Sequence, residues 1–165
     1  RVDLGALRIR PSESHEMRLQ VNESTDDVMS VLLVAADGAI ELQPFSAPRS
    51  GGLWDEVRPQ IASDVAQRGG TYTEQEGRFG VELLCQVPAQ RPDGPTGMQT
   101  SRLVGVDGPR WMLRATFLGR PAIEPDQAQA WEEVLCDVVV HRGDQAMAPA
   151  RALTIVLPPE ARRSN

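Results

Sequence analysis

The chain has 165 residues and a formal charge of -6, with 41% of its residues hydrophobic and 4% aromatic. A chain of this length can bury a core of its own without metal or disulfide support. Its acidic balance disfavours nonspecific attraction to nucleic acid or anionic lipid, which rests on clustered Lys and Arg.

The opening run Val2 to Ile9 has apolar residues at mixed spacing and is expected to form a short irregular strand or an N-terminal cover. Met17, Leu19 and Val21 alternate with polar neighbours, the pattern of a half-buried strand. Asn22 to Asp27 is a polar turn, and Val28–Val34 and Ala39–Phe45 flank Asp37-Gly38, which carries hairpin turn chemistry. A helix is predicted from Ser50 or Gly51 to about Arg68. Leu53, Trp54, Val57, Ile61 and Val65 share one of its faces, while Asp55, Glu56, Arg58 and Gln60 face away. Pro59 removes a hydrogen bond inside this helix and predicts a kink or a split into two segments, and Gly69-Gly70 ends it.

Tyr72–Glu76 is expected as an edge strand. Phe79, Val81, Leu83, Cys85 and Val87 then alternate on one face of the next. Pro88–Gly97 is a loop turning at Pro92-Asp93-Gly94-Pro95. Strands at Met98–Val106 and Arg110–Leu118 meet at Asp107-Gly108-Pro109, with Trp111, Leu113, Ala115 and Phe117 on one side, and complete a meander. A second helix starts near Glu124-Pro125, with Asp126 in its first turn. Its stripe is Ala128, Trp131, Leu135 and Val138, with Glu132, Glu133 and Asp137 toward solvent. Val138–Val140 suits either the helix end or a strand. Leu153–Leu157 is a last strand stopped by Pro158-Pro159. The expected fold class is α+β: an antiparallel sheet of about six strands with two main helices packed against it. Residues 1–160 would form one domain and residues 161–165 a flexible tail, with Trp54, Trp111 and Trp131 as structural anchors.

The two cysteines, Cys85 and Cys136, lie in apolar patterns without a CxxC partner. Two buried, reduced thiols in the cytoplasm are therefore expected, rather than a disulfide framework. No apolar run approaches the roughly 18 residues of a membrane helix.

The segment Pro44 to Trp54 carries the most site-like chemistry. Ser50 is placed to cap a helix, and the N–H groups of Gly51, Gly52 and Leu53 lie where an anion would sit, with Arg49 supplying charge. The spacing matches neither a P-loop nor a dinucleotide fingerprint. The competing reading is architectural: the glycines permit a tight turn, and Arg49 reaches Glu56 or an acid of the second helix. Arg110 and Arg114, around Trp111, are the other candidates for anion binding or for recognition of an acidic partner.

His15 and His141 lack ligand-spaced neighbours, so no metal or cofactor is expected. Glu133 and Asp137 share a helical face, which suits a solvated surface better than a catalytic pair. No serine occupies a nucleophile elbow, no basic-aromatic strand pair suits RNA, and no catalytic residue is assigned.

Three stretches, Phe45–Arg58, Leu103–Arg114 and Val138–Pro149, resemble an actinobacterial family of uncharacterised domains. The resemblance covers nearly the whole chain. It implies an intracellular protein with a charged segment ahead of this domain and no activity, ligand or catalytic residues to carry over. The function expected is a protein-interaction or scaffold domain, engaging an unknown partner or a second copy. The alternative is small-anion binding at Gly51-Gly52 and Arg49.

Overall fold

The computed structural model describes residues 2–10, 14–21, 24, 28–89, 97–143, 146–153 and 155. Along these residues run β1 (Val2–Asp3), β2 (Leu7–Ile9), β3 (Glu16–Val21), β4 (Val28–Ala35), β5 (Gly38–Ser46), α1 (Leu53–Gln67), β6 (Thr71–Gly77), β7 (Gly80–Ala89), β8 (Gly97–Gly108), β9 (Trp111–Gly119), α2 (Arg120–Ile123), α3 (Pro125–Cys136) and β10 (Val139–Val140). Among the described residues, seven strands make an antiparallel sheet ordered β3-β4-β5-β9-β8-β7-β6, and β1, β2 and β10 make a second. The α+β class is as expected, with one strand more in the main sheet than the sequence suggested.

Two meanders build the main sheet. The first ends in β5, and α1 then carries the chain to the far edge, four strand spacings or about 19 Å away. A 15-residue helix is about 22 Å long, enough for the crossing. The second meander returns through β7 and β8 to β9, which pairs with β5 from Gly38↔Gly119 to Ser46↔Trp111. Apolar residues on both sides of these strands call for cover on both faces. On one, Leu53, Trp54 and Val65 of α1 pack on Leu83, Cys85, Leu103 and Met112. On the other, Trp131 and Leu135 of α3, with Leu7 and Ile9 of the small sheet, pack on Ile40, Leu42, Ala115 and Phe117.

The end of β5 gains its second neighbour from the C-terminal region. β4 pairs with β5 only between Val31↔Leu42 and Ala35↔Gly38. Beyond that, Ser46 N–H donates to Arg151 O at 2.8 Å, Ala150 N–H to Ser46 O at 2.8 Å and Leu153 N–H to Pro44 O at 3.0 Å. The buried Ser46 hydroxyl donates to Ala148 O and accepts from Arg151 N–H at 3.2 Å.

Several local expectations change. α1 runs unbroken through Pro59, its apolar face held on the sheet by tertiary packing. The β4–β5 turn residues are Ala36 and Asp37. Gly38 begins β5, where an added Cβ would lie 2.5 Å from both Leu118 O and Pro121 Cδ, so close approach requires the glycine. Arg58 does not face away: its side chain is 13% exposed and pairs with Asp55 and Glu74. Glu132 is drawn into a buried ionic cluster. Cys136, at the end of α3, is exposed, whereas Cys85 is buried, and both are free thiols. α3 ends at Cys136, and Val139 and Val140 form β10 against β2.

The turn at residues 92–95, most of the turn at 22–27, Thr154, residues 156–160 and the tail at 161–165 lie outside the described residues, as does the side chain of Asp126. No helix among the described residues is long and apolar enough to cross a membrane.

Candidate functional site

The corner before α1 is built by its glycines. Gly51 and Gly52 take φ of +77° and +80°, the left-handed region that costs an L side chain strain. Gly51 N–H is spent on Pro48 O at 3.0 Å, closing a turn. Gly52 occupies the N-cap position and no side chain caps it, so Ser50, fully outside the helix and exposed, is not the cap. Instead Trp54 N–H points to Asp107 Oδ1 at 3.4 Å, a carboxylate brought across from β8. With Asp55 and Glu56 also in the first turn, the positive end of the helix already meets three acids of the protein itself.

Arg49 is exposed and forms no ion pair among the described residues, neither with Glu56 nor with an acid of α3. Arg110 lies beside the corner at φ +62°, and its carbonyl accepts from Ala47 N–H at 2.9 Å and Arg142 Nε at 3.0 Å.

Each tryptophan has its own setting. Trp54 is 3% exposed and donates its indole N–H to Val81 O at 2.7 Å, its ring lying against Gly105. Trp111 is half-buried over Gly108. Trp131 is buried and meets the His15 ring edge-on at 4.8 Å.

Arg114 is elsewhere. On β9 it alternates with Leu113, Ala115 and Phe117, so it projects from the opposite face, the one α1 covers. Because α1 crosses only part of that face, a cleft of about 430 Å³ opens along its flank, floored by β8, β9 and the end of β5. Val57 and Ile61 wall it on the helix side, Phe45, Leu103 and Met112 on the sheet side, and Arg114, Ser101 and Thr116 bring polar groups to it. Neither Arg49 nor Arg110 lines this cleft, so the three candidate arginines do not converge there.

Burial pulls the Arg114 guanidinium below the usual arginine range, while the nearby Glu41 carboxylate acts in the other direction. No carboxylate pairs with it among the described residues. Gln43 Oε1 accepts from Nε at 3.1 Å and from Nη2, and the Phe45 ring lies 5.6 Å from the guanidinium carbon. A guanidinium carries five N–H donors. Gln43 engages the Nε–Nη2 edge, and the Nη1–Nη2 edge has no hydrogen-bond partner among the described residues. At the mouth of the cleft, Asp64 and Arg68 satisfy each other at 3.0 Å.

A more deeply buried arginine contrasts with it. Arg102, 6% exposed, forms a bidentate pair with Glu82 at 2.7 and 3.0 Å and also donates to Glu132 of α3. Its desolvation is outweighed by these hydrogen bonds, which leave the guanidinium more basic than usual. Arg102 is therefore neutralised within the fold, tying α3 to β7 and β8. Arg114 keeps binding capacity, because its only hydrogen-bond partner among the described residues is a neutral amide.

Of the residues that shape the cleft, the sequence marks Arg114 as a binding candidate and Val57 and Ile61 only as part of an apolar helix stripe, whereas nothing in it singles out Gln43, Ser101 and Thr116. The alternation of β9 already places Arg114 with Met112 and Thr116, but the position of α1 above them is tertiary information. Among the described residues, no three His, Cys, Asp or Glu side chains gather into a metal-ligating group. No curated protein and no solved structure matches the chain. The family model for proteins of unknown function designated DUF3710 matches residues 1–164, and the chain belongs to that family.

Proposed function

We propose that this is a ligand-binding domain that holds a small organic anion in the cleft beside α1, with the charged group on Arg114. The observation that carries this reading is a half-buried, partly desolvated guanidinium without a carboxylate partner among the described residues, lining a largely apolar cleft. A volume of about 430 Å³ lies within the range of small-molecule sites, which combine apolar walls with a few polar groups. The anion site thus moves from Arg49, Ser50, Gly51 and Gly52, where Asp107 already faces the helix end, to Arg114. The two free cysteines support a reducing, cytoplasmic setting.

A thermal-shift panel of carboxylate-bearing and phosphate-bearing metabolites with their neutral analogues tests the proposal. Binding to the native state raises the melting temperature, because it stabilises the fold by RT ln(1 + L/Kd), where L is the free ligand concentration. A shift that grows with the logarithm of ligand concentration in wild type and in R49A, and is lost in R114M, is expected; no concentration-dependent shift with any compound refutes it.

A second reading, protein interaction or scaffolding, is favoured by β6. This strand is the edge of the main sheet and is exposed along all seven residues, with Glu74 and Glu76 on the face that α1 flanks. An extended Arg/Lys-rich segment of a partner protein would pair with the edge backbone, meet Glu76 and compete with Arg58 for Glu74. Binding of such a peptide that survives E74K/E76K would refute it.

A further inference from the structure

Resting on the cleft reading above, we infer that the ligand is a monocarboxylate with an apolar tail, and that phosphate esters are excluded. Charge decides the head group. Arg114 is the unpaired cation of the cleft among the described residues, because Arg68 is committed to Asp64 at 3.0 Å. Glu41 is close enough to influence Arg114 and adds negative potential from the same sheet face. A phosphate monoester brings a charge of about -1.5 to -2 at neutral pH. It would leave about half to one net negative charge partly desolvated beside Glu41, with the other cation of the cleft, Arg68, already paired to Asp64. A carboxylate brings one charge and balances Arg114.

Geometry agrees with charge. Gln43 occupies the Nε–Nη2 edge of the guanidinium, and the remaining Nη1–Nη2 edge is a fork that matches the two oxygens of a carboxylate. Thr116 and Ser101 supply hydroxyl groups on the same floor.

The walls decide the rest of the molecule. Val57, Ile61, Phe45, Leu103 and Met112 surround the space with aliphatic, aromatic and thioether groups. A polyhydroxylated body would lose its hydration against these walls, and Gln60, Ser101 and Thr116 would replace only a few of its hydrogen bonds. An alkyl or aryl body gains burial instead.

Calorimetric titration of the intact chain with octanoate, octyl phosphate and octanol, each below its aggregation limit, tests the assignment. Octanoate is expected to bind about tenfold or more tightly than octanol, the usual worth of a charge-assisted pair, and more tightly than octyl phosphate. R114M should abolish the preference for octanoate over octanol; R114K should retain part of it. I61W, which fills the cleft without touching the charge, should abolish binding of all three and provides the check if R114M does not fold. Equal binding of octanoate and octanol, with R114M changing neither, overturns the carboxylate assignment while the cleft still binds. Preference for octyl phosphate overturns it in favour of a phosphate. Binding of none of the three overturns the assignment; the cleft reading then stands or falls separately on the wider metabolite panel.

Discussion

Replacing Arg102 with Met tests how far one ionic cluster holds the layers together. In wild type the Arg102 side chain is 8% exposed and bridges Glu82, 3% exposed, and Glu132, 13% exposed. Methionine keeps much of the aliphatic volume but leaves two largely buried carboxylates facing each other without a cation. Removing one member of a buried ionic set costs about 3–5 kcal/mol, because the partners remain desolvated. The guanidinium also lies 4.9 Å from the Phe117 ring centroid, a contact worth roughly 0.5–2 kcal/mol that is lost as well. For a chain of this size each kcal/mol moves the melting temperature by about 2–4 °C. R102M is therefore expected to melt roughly 7–28 °C below wild type in a calorimetric or circular-dichroism scan. The triple variant R102M/E82L/E132L removes the stranded charges and should regain most of that loss, since apolar replacement of a whole buried set is often neutral or stabilising. E74A, which breaks the more exposed Arg58–Glu74 pair, should change stability by less than about 1 kcal/mol. An R102M melt within about 2 °C of wild type would refute the reasoning, as would a triple variant no better than the single one.

At Gly105 an added Cβ would fall 2.2 Å from the Trp54 ring, so G105A should cost about 1–3 kcal/mol and shift the tryptophan emission; an unchanged melt and spectrum would count against Trp54 packing there. S46A removes the hydroxyl that binds Ala148 and Arg151, and faster hydrogen exchange at residues 148–153 is expected, with a loss of about 1–3 kcal/mol; unchanged exchange would contradict this. Cys136 should alkylate readily in the native protein while Cys85 is protected, and mass mapping of the labelled peptides decides the point. Burial also raises the Cys85 thiol above its ordinary value, because the thiolate is disfavoured in an apolar setting. Its contribution to stability is therefore full below the unfolded-state value and is lost as pH rises toward the folded-state value, because the unfolded chain ionises first. C85V should flatten the alkaline decline in stability, and an unaltered decline would refute that assignment.

Period and turn chemistry made much of the fold legible. The alternations at Met17–Val21 and Trp111–Phe117, the stripe from Leu53 to Val65 and the Gly69-Gly70 stop each rest on neighbours a few residues away, so the chain itself specifies them. Gly38 was placed in the right hairpin for an incomplete reason. Its need is a close approach to Leu118 and Pro121, which are remote in sequence. The helix entry misled in the same way, since Ser50 had the chemistry of a cap while the acid facing the helix end, Asp107, comes from another strand 53 residues on.

What the sequence determined by itself is the alternation that sends Arg114 and Arg102 out of their strands on faces set by local backbone geometry. What each face meets is decided by tertiary structure. One face brings Arg102 between Glu82 and Glu132, and the other leaves Arg114 beneath the flank of α1 with an amide for a partner. The physical reason is range: side-chain direction follows from φ and ψ within a residue or two, whereas desolvation and charge pairing depend on every element that comes to rest nearby.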